Sequence, residues 1–210
     1  MSAHAVDALL LAAHAREIVA VSRFLSAKGW SPATSSNYSS RIDDERAAIT
    51  CSGKDKGSLT EADVLVVTLD GRPVGVGTPS AETRLHTRLY ARYPEIGAVL
   101  HVHTINATVV SRACTGDTLT LQGYELQKAF AGVTTHKVDV QVPIFENSQD
   151  MHVLARQIDE RLGDAPSPPG YLIRGHGLYA WGANMPEAKR HVEAFDFLFG
   201  CHLEELRLAR

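Results

Sequence analysis

The sequence predicts an α/β protein with a central, mostly antiparallel sheet and helices on its faces. Hairpin-like connections dominate the first half of the chain, where Asp70-Gly71 is a strong hairpin turn. Amphipathic stretches of helical period lie before, between and after the predicted strands. One sheet covered by helices is the simplest architecture that accommodates both patterns.

The first half of the chain begins with an amphipathic helix that ends at Gly29. Its apolar run at 8–13 is short, lacks a basic region before it and is flanked by ionisable residues, which argues against a signal peptide or a membrane span. Thr60-Glu-Ala-Asp63 forms a turn or cap before a strand. The predicted strands of this half are 38–42, 47–51 and 64–69, and a helix covers about 80–93.

The second half is predicted to alternate strands with capped helices. A buried strand at 97–100 leads into His101, and Thr104 caps the helix that follows. Asn147 is expected to cap another helix, with Asp150 at its third position, and Asn184 to cap a long C-terminal helix. The remaining predicted elements are a helical piece at 124–131, the end of the Asn147 helix near 162, and strands at 138–145, 171–174 and 178–181.

Length and composition restrict the class of protein. The 210 residues allow one sizeable core and contain no Pro/Ser/Gly-rich linker, so a single domain over 1–210 is expected. The net charge of −3, with interspersed signs, argues against a nucleic-acid partner, and no membrane partner is expected. Three widely spaced cysteines (Cys51, Cys114 and Cys201) indicate reduced thiols and a cytoplasmic location.

Two histidines one residue apart, His101 and His103, are the first sign of a chemical site. In a chain with ten histidines such a pair also arises by chance, but this one ends a predicted strand, where sheets often carry sites. Alternate residues of a strand share a face, so both imidazoles can bind one ion while Val102 faces the core. His176, between two glycines, offers a third imidazole. Three neutral imidazoles with an open fourth position are typical of catalytic zinc or a similar divalent metal, and no cysteine has the spacing to close the shell.

Five segments in a fixed order resemble the class II aldolase/adducin family. The resemblance implies a three-layer α/β/α fold with a central, mostly antiparallel sheet. It also implies one divalent metal per subunit, Zn²⁺ in the first place, held by His101, His103 and His176. A homotetramer with sites at subunit interfaces is the usual assembly of that family. The segments are Ala33-Thr-Ser-Ser-Asn-Tyr-Ser39, Ile49-Thr-Cys-Ser-Gly53, Pro79-Ser-Ala-Glu82, His101-Val-His103 and Leu172-Ile-Arg-Gly-His-Gly-Leu178.

Two further segments, 123–129 and 142–150, resemble one branch of that family. The branch dehydrates 5-methylthioribulose 1-phosphate to 2,3-diketo-5-methylthiopentyl 1-phosphate in methionine salvage. The alternatives are a sugar-phosphate aldolase or 4-epimerase of the same family and an adducin-like, non-enzymatic interaction protein. The last is disfavoured because all three histidines are present and the chain has no long charged tail. A metal-stabilised structural domain is disfavoured because an open coordination position would have no purpose there.

Two carboxylates compete for the acid/base role. Glu125 matches the catalytic glutamate of the dehydratase branch, and the resemblance favours it. Glu82 matches the glutamate that is catalytic or contacts the metal in the aldolases, and it is expected either to orient other groups or to be the alternative acid/base. Lys128, close to Glu125 in sequence, is a candidate for tuning its pKa. Without the resemblance, both glutamates are equally well explained as solvated acids in the first turn of a helix.

The phosphate of a ketose phosphate requires hydrogen-bond donors, and small polar residues of the matching segments can supply them. Ser80 is also expected at a helix N-terminus, a favourable place for an anion. The competing explanation for these residues is turns and caps. Ser36 and Ala81 depart from the family pattern, since many members have glycine and serine there. The predicted phosphate-binding set is Ser36, Asn37, Ser52, Gly53 and Ser80, with Lys56 either an added cation or a surface lysine.

The other histidines are predicted to be surface or packing residues, because most fall on predicted helices. His136, just before a strand, is a weak candidate for the site. The packing group is His4, His14, His86, His152, His191 and His202.

Overall fold

A computed structural model of the chain describes residues 7–164 and 167–209. His4, the start of the predicted first helix and part of the loop before the strand at 171 lie outside the described residues. Five helices are described, α1 (Ala8–Ala27), α2 (Thr83–Arg92), α3 (Ile105–Ala113), α4 (Met151–Leu162) and α5 (Met185–Leu208). Short 3₁₀ turns cover Pro32–Thr34, Glu61–Asp63 and Glu125–Ala129.

The strands form one nine-stranded sheet in the order β4-β3-β2-β1-β5-β9-β8-β7-β6. Within the described ranges every neighbouring pair is antiparallel except β7 and β8, which are parallel. The expectation of a central, mostly antiparallel sheet is therefore confirmed. The strands are β1 (Asn37–Arg41), β2 (Arg46–Thr50), β3 (Val64–Thr68), β4 (Pro73–Val74), β5 (Ala98–Val102), β6 (Thr118–Leu121), β7 (Val140–Phe145), β8 (Gly170–Ile173) and β9 (Gly177–Gly182).

Helices cover both faces of the sheet, which gives the three-layer arrangement that was predicted. One apolar cluster joins α1, α3 and α5 to one face, with Ile18 and Phe195 fully buried at its centre. The other cluster joins α2 and α4 to the opposite face, with Leu89 and Leu154 in its interior. Side chains along β5 alternate between the two clusters, and Val102 belongs to the first. His101 therefore points to the α2/α4 side of the sheet.

Several helix ends follow the sequence signals. The side chain of Thr104 accepts a hydrogen bond from the N–H of Ala107 and caps α3, and Asn184 caps α5 in the same way through the N–H of Glu187. The expectation that Asn147 caps α4 is wrong. Asp150 is the cap, because its carboxylate accepts from the N–H groups of both His152 and Val153.

Two other expectations need correction. α2 begins at Thr83, because the carbonyl of Ser80 accepts from both the N–H and the hydroxyl of Thr83 and closes a turn before the helix. Ser80 is therefore not at the helix N-terminus. The edge strand β6 was not predicted, although Thr118 to Leu121 alternates polar and apolar residues, since four residues are too few to decide from sequence. No helix of the described ranges is long and apolar enough to cross a lipid bilayer.

The first residue of β9, Gly177, has no room for a side chain. A Cβ on this residue would lie 2.3 Å from the carbonyl oxygen of Val102 and 3.2 Å from Cε1 of His101. Only glycine therefore allows β9 to approach the end of β5 as closely as it does.

We predict that Gly177→Ala lowers the free energy of unfolding by about 1–3 kcal/mol, because the β5–β9 pair must move apart. The measurement is urea denaturation, with Gly116→Ala as the control. A Cβ at Gly116 meets nothing closer than 3.9 Å, so the control should change stability by less than about 1 kcal/mol. Equal stability of the two variants would contradict the close approach.

Candidate metal centre and active-site cleft

Three imidazoles converge at the carboxyl end of the central strand. His101 is the fourth residue of β5, and His103 is the first residue after the end of that strand. His176 lies in the turn between β8 and β9. Nε2 of His101 lies 2.8 Å from Nε2 of His103 and 3.3 Å from Nε2 of His176. The sequence-predicted trio is thus brought together, and its ligand atoms all lie within 4.8 Å of one another.

The surroundings keep the imidazoles of His101 and His103 neutral, with lone pairs available to a metal. Nδ1 of His101 donates to the carbonyl of Leu178 at 3.0 Å, which leaves its Nε2 unprotonated in the neutral ring. Burial, and then the neighbouring imidazoles, hold the pKa of His101 well below its ordinary value. Burial, followed by His176 and Lys56, lowers the pKa of His103 to about 4. Three imidazole nitrogens that converge at one point fit a divalent metal.

Glu82 lies at the same point and is the acidic residue nearest to the histidines among the described residues. Its Oε2 lies 3.4 Å from Nε2 of His101, and its Oε1 lies 3.3 Å from Nε2 of His176. Its side chain is only 15% exposed, and its Oε2 accepts a hydrogen bond of 2.9 Å from Nδ2 of Asn37. The position allows Glu82 either to contact a bound cation or to exchange a proton with a substrate beside it.

The predicted phosphate-binding residues surround the same cleft, whose volume is about 320 Å³. Ser80 is the best prepared donor, since its Oγ accepts from Asn37 Nδ2 and from the N–H of Glu82, so its own hydroxyl hydrogen remains free. The amide of Asn37, by contrast, is fully used inside the protein. The lining residues from the predicted sets are Ser36, Asn37, Ser52, Gly53, Lys56, Ser80, Glu82, His103 and His176.

Lys56 is almost completely buried, so its interpretation as a surface lysine is wrong. Its ammonium donates to the carbonyls of Thr34 at 3.1 Å and Lys54 at 2.7 Å and lines the cleft. Burial lowers its pKa below the ordinary lysine value. An ammonium has three donors, and these two carbonyls leave one for a ligand.

Glu125 does not lie in this cleft. It begins the 3₁₀ turn Glu125–Ala129, and its side chain is 71% exposed. It forms an ion pair with Lys128, and its Oε2 lies 3.5 Å from Nδ1 of His136. The hydrogen bond from Lys128 lowers the pKa of Glu125. Within one chain, therefore, neither Glu125 nor Lys128 lines the metal centre, and His136 is their neighbour instead.

Sequence reasoning missed several residues of the site. Asn147, Gln149 and Met151, before and at the start of α4, line the cleft. His86 is buried, as a packing residue would be, but both of its ring nitrogens form hydrogen bonds, to Ser39 and Asn37. The spacing from Glu82 to His86 is one helical turn, which is the signal that could have placed His86 beside the site.

Residues 16–203 match the family described as Class II Aldolase and Adducin N-terminal domain. The chain is 59% identical over 196 residues to a protein of Pseudomonas aeruginosa named methylthioribulose-1-phosphate dehydratase, covering 93% of this chain and 96% of that protein. A protein of the same name from Marinobacter nauticus is 53% identical over 206 residues, covering 97% and 99%.

Solved structures show the same fold. L-fuculose-1-phosphate aldolase from Thermus thermophilus aligns with a TM-score of 0.76 at 26% identity, over 95% of this chain and 99% of that one. The family is metal-dependent, in agreement with the histidine cluster. The chain belongs to the class II aldolase and adducin family.

Proposed function

We propose that this chain catalyses the dehydration of 5-methylthioribulose 1-phosphate to 2,3-diketo-5-methylthiopentyl 1-phosphate. One observation carries the proposal: a complete three-histidine cluster, with Glu82, opens into a cleft with phosphate-type donors, in a chain 59% identical to a protein named for this reaction. We further propose Zn²⁺ as the metal. Because the three cysteines are unpaired, we also propose that the protein is located in the cytoplasm.

The metal would be held by His101, His103 and His176. When bound, it supplies a positive charge beside the substrate C2 carbonyl and makes the C3 proton more acidic. We assign the removal of that proton to the carboxylate of Glu82, which already lies against the ligand nitrogens. The electron pair left at C3 then forms the C3–C4 double bond as the C4–O bond breaks. The resulting enol tautomerises to the diketone.

The phosphate is proposed to lie at the serine-lined side of the cleft. Ser80 has a free hydroxyl hydrogen there, and Lys56 has a free ammonium hydrogen. Ser36, Asn37, Ser52 and Gly53 remain predicted contacts, although the amide hydrogens of Asn37 already go to Ser80 and Glu82. A buried ammonium beside hydroxyl donors favours a dianion over a neutral group.

The leaving C4 hydroxyl needs a proton, and we assign its donor to Glu125 of a neighbouring copy. In a single chain Glu125 is exposed and held anionic by Lys128, which makes it a poor acid. Burial against a second copy would raise its pKa. The exposed apolar side chains of Leu126, next to Glu125, and of Ile105, two residues after His103, provide surface for such a contact. A homotetramer with shared sites is therefore the proposed assembly.

We expect the zinc-loaded protein to convert methylthioribulose 1-phosphate to a product lighter by one water. Mass spectrometry of the products identifies the reaction, and L-fuculose 1-phosphate and ribulose 5-phosphate serve as comparison substrates. Retro-aldol fragments or a 4-epimer, formed faster than the dehydrated product, would replace the dehydratase by an aldolase or epimerase.

The shared site predicts complementation between two inactive variants. Glu82→Gln and Glu125→Gln should each lower kcat by at least about a hundredfold while zinc stays bound, because each removes a proton-transfer group. In hybrids assembled from equal amounts of both, about one quarter of the sites combine both native glutamates, so about that fraction of the activity should return.

The control for complementation is the mixture of Glu125→Gln with a double variant that lacks both glutamates, which should stay inactive. Hybrids that regain no activity, with mixing confirmed by mass, would show that Glu125 does not act across an interface.

Zinc binding should resist mild acid. Because the pKa of His103 is lowered to about 4 and that of His101 is also low, neither ligand takes up a proton as the pH falls from 7.0 to 5.5. Isothermal titration should give one zinc per chain, with a dissociation constant that rises by no more than about tenfold over this range. A rise of a hundredfold or more would show that these two imidazoles titrate near their ordinary value.

A further inference from the structure

A continuous line of hydrogen bonds leads from Tyr90 on helix α2, by way of two side chains of strand β1, to Glu82. Tyr90 OH lies 2.8 Å from Oγ of Ser39, which lies 2.7 Å from Nδ1 of His86. Nε2 of His86 contacts Oδ1 of Asn37, whose Nδ2 donates to Glu82 Oε2 at 2.9 Å. Glu82, which lies at the N-cap position of α2, is followed at four-residue intervals by His86 and Tyr90 on the helix, while Ser39 and Asn37 lie two residues apart on β1. The helix and the strand thus supply alternate links.

The direction of every hydrogen bond follows from the Asn37 amide. Its nitrogen donates to Oγ of Ser80 and to Oε2 of Glu82, so its oxygen faces His86. Nε2 of His86 must then carry the ring proton and Nδ1 must accept from the hydroxyl of Ser39. The single hydroxyl hydrogen of Ser39 is thereby used, which leaves Tyr90 as the donor to Ser39.

The protonation states agree with this assignment. Burial lowers the pKa of His86 to about 3, so the ring is neutral and has one N–H. Burial also raises the pKa of Tyr90, so the phenol keeps its hydrogen. Four of the five residues in this line are less than 5% exposed, and a buried polar group without a partner costs about 1–3 kcal/mol. Only one arrangement of hydrogens satisfies all of them.

We propose that Tyr90, Ser39 and His86 are positioning residues that fix the orientation of the Asn37 amide and, through it, aim the carboxylate of Glu82 at the three-histidine cluster. The expected effect of these residues on kcat rests on the proposed function, in which Glu82 removes the substrate proton. The expected position of the ring proton on His86 does not rest on it. Without the N–H of His86, the oxygen of the Asn37 amide loses the donor that holds the amide in place, and Glu82 loses a fixed donor.

His191 provides a comparison within the same chain. It is also buried, but its Nδ1 lies 2.6 Å from the carbonyl of Trp181 and its Nε2 accepts from the N–H of Ala131. A carbonyl only accepts, so His191 must carry its proton on Nδ1, the opposite tautomer from that assigned to His86. The two buried histidines therefore give a direct test of the proposed direction.

The deciding experiment is a long-range ¹H–¹⁵N correlation spectrum of the zinc-loaded, substrate-free protein with ¹⁵N-labelled histidine. The expected result is an Nε2-protonated His86 and an Nδ1-protonated His191, with peaks assigned from His86→Gln and His191→Gln. An Nδ1-protonated His86 would reverse the line of hydrogen bonds and overturn the proposal. This result does not depend on which substrate the protein uses.

Kinetic measurements test the positioning role separately. Ser39→Ala, Tyr90→Phe and His86→Leu should each lower kcat by about 10- to 100-fold, with KM changed by less than about threefold and zinc retained. His86→Gln, which keeps a donor toward Asn37, should recover part of the loss. Tyr93→Phe is the matched control, since this tyrosine lies on the same face of the molecule but donates to Gly163 instead, and it should keep native kcat.

The outcomes separate the two hypotheses. The native protein could show the expected His86 tautomer without dehydrating the substrate. That result would reject the proposed reaction but not the proposed line of hydrogen bonds. Folded Ser39→Ala and Tyr90→Phe variants with native kcat in an active enzyme reject the positioning role. Circular dichroism and the native-like tautomer of His191 identify the variants that are folded.

Discussion

The site depends on the register of three neighbouring strands. β5 pairs with β1 so that His101 lies opposite Asn37, and with β9 so that His101 lies opposite Tyr179. The β8–β9 turn then brings His176 to the same end of β5 as His103. A shift of one residue in either pairing would send the ligating side chains to the other face of the sheet. Metal ligands, the amide that holds Glu82 and the edge of the cleft are all placed by this one arrangement.

Other contacts must stabilise this register, because burying three imidazoles side by side is unfavourable in free energy. Imidazoles this close together repel one another when they are protonated. Burial and this mutual proximity therefore lower the pKa values of His101 and His103. Apolar packing on both faces of the sheet stabilises the fold against this unfavourable burial. On the α2/α4 side the ring of His101 stacks on Tyr179, 4.1 Å between centroids, and Tyr179 stacks on Tyr171. The stack restricts the plane of the ligand ring, and the hydrogen bond to Leu178 fixes its tautomer.

The sequence predicts those parts of the molecule in which a local rule decides. The period of two along β5 places His101 and His103 together, and side-chain capping places Thr104 and Asn184. Prediction fails where two local rules compete. Both Asn147 and Asp150 can cap a helix, and in the structure α4 begins directly after Asp150, whose carboxylate accepts from the N–H groups of the first turn. The ammonium of buried Lys56 likewise donates to the carbonyl of Thr34, a residue distant in sequence, and no pattern around the lysine reveals this contact.

The two glutamates show the same limit in the candidate site. Glu82 is fixed by contacts inside one chain, so its place beside the histidines follows from the fold alone. The family resemblance of the sequence favoured Glu125, which the fold of one chain leaves exposed and paired with Lys128. A carboxylic acid that must donate a proton near neutral pH needs burial, and a single chain does not provide it at this position. If both glutamates act on one substrate, the elimination step belongs to the assembled protein, whereas removal of the first proton belongs to each chain. In that case a protein could keep the metal centre and change its reaction by changing only the surface that its neighbour presents.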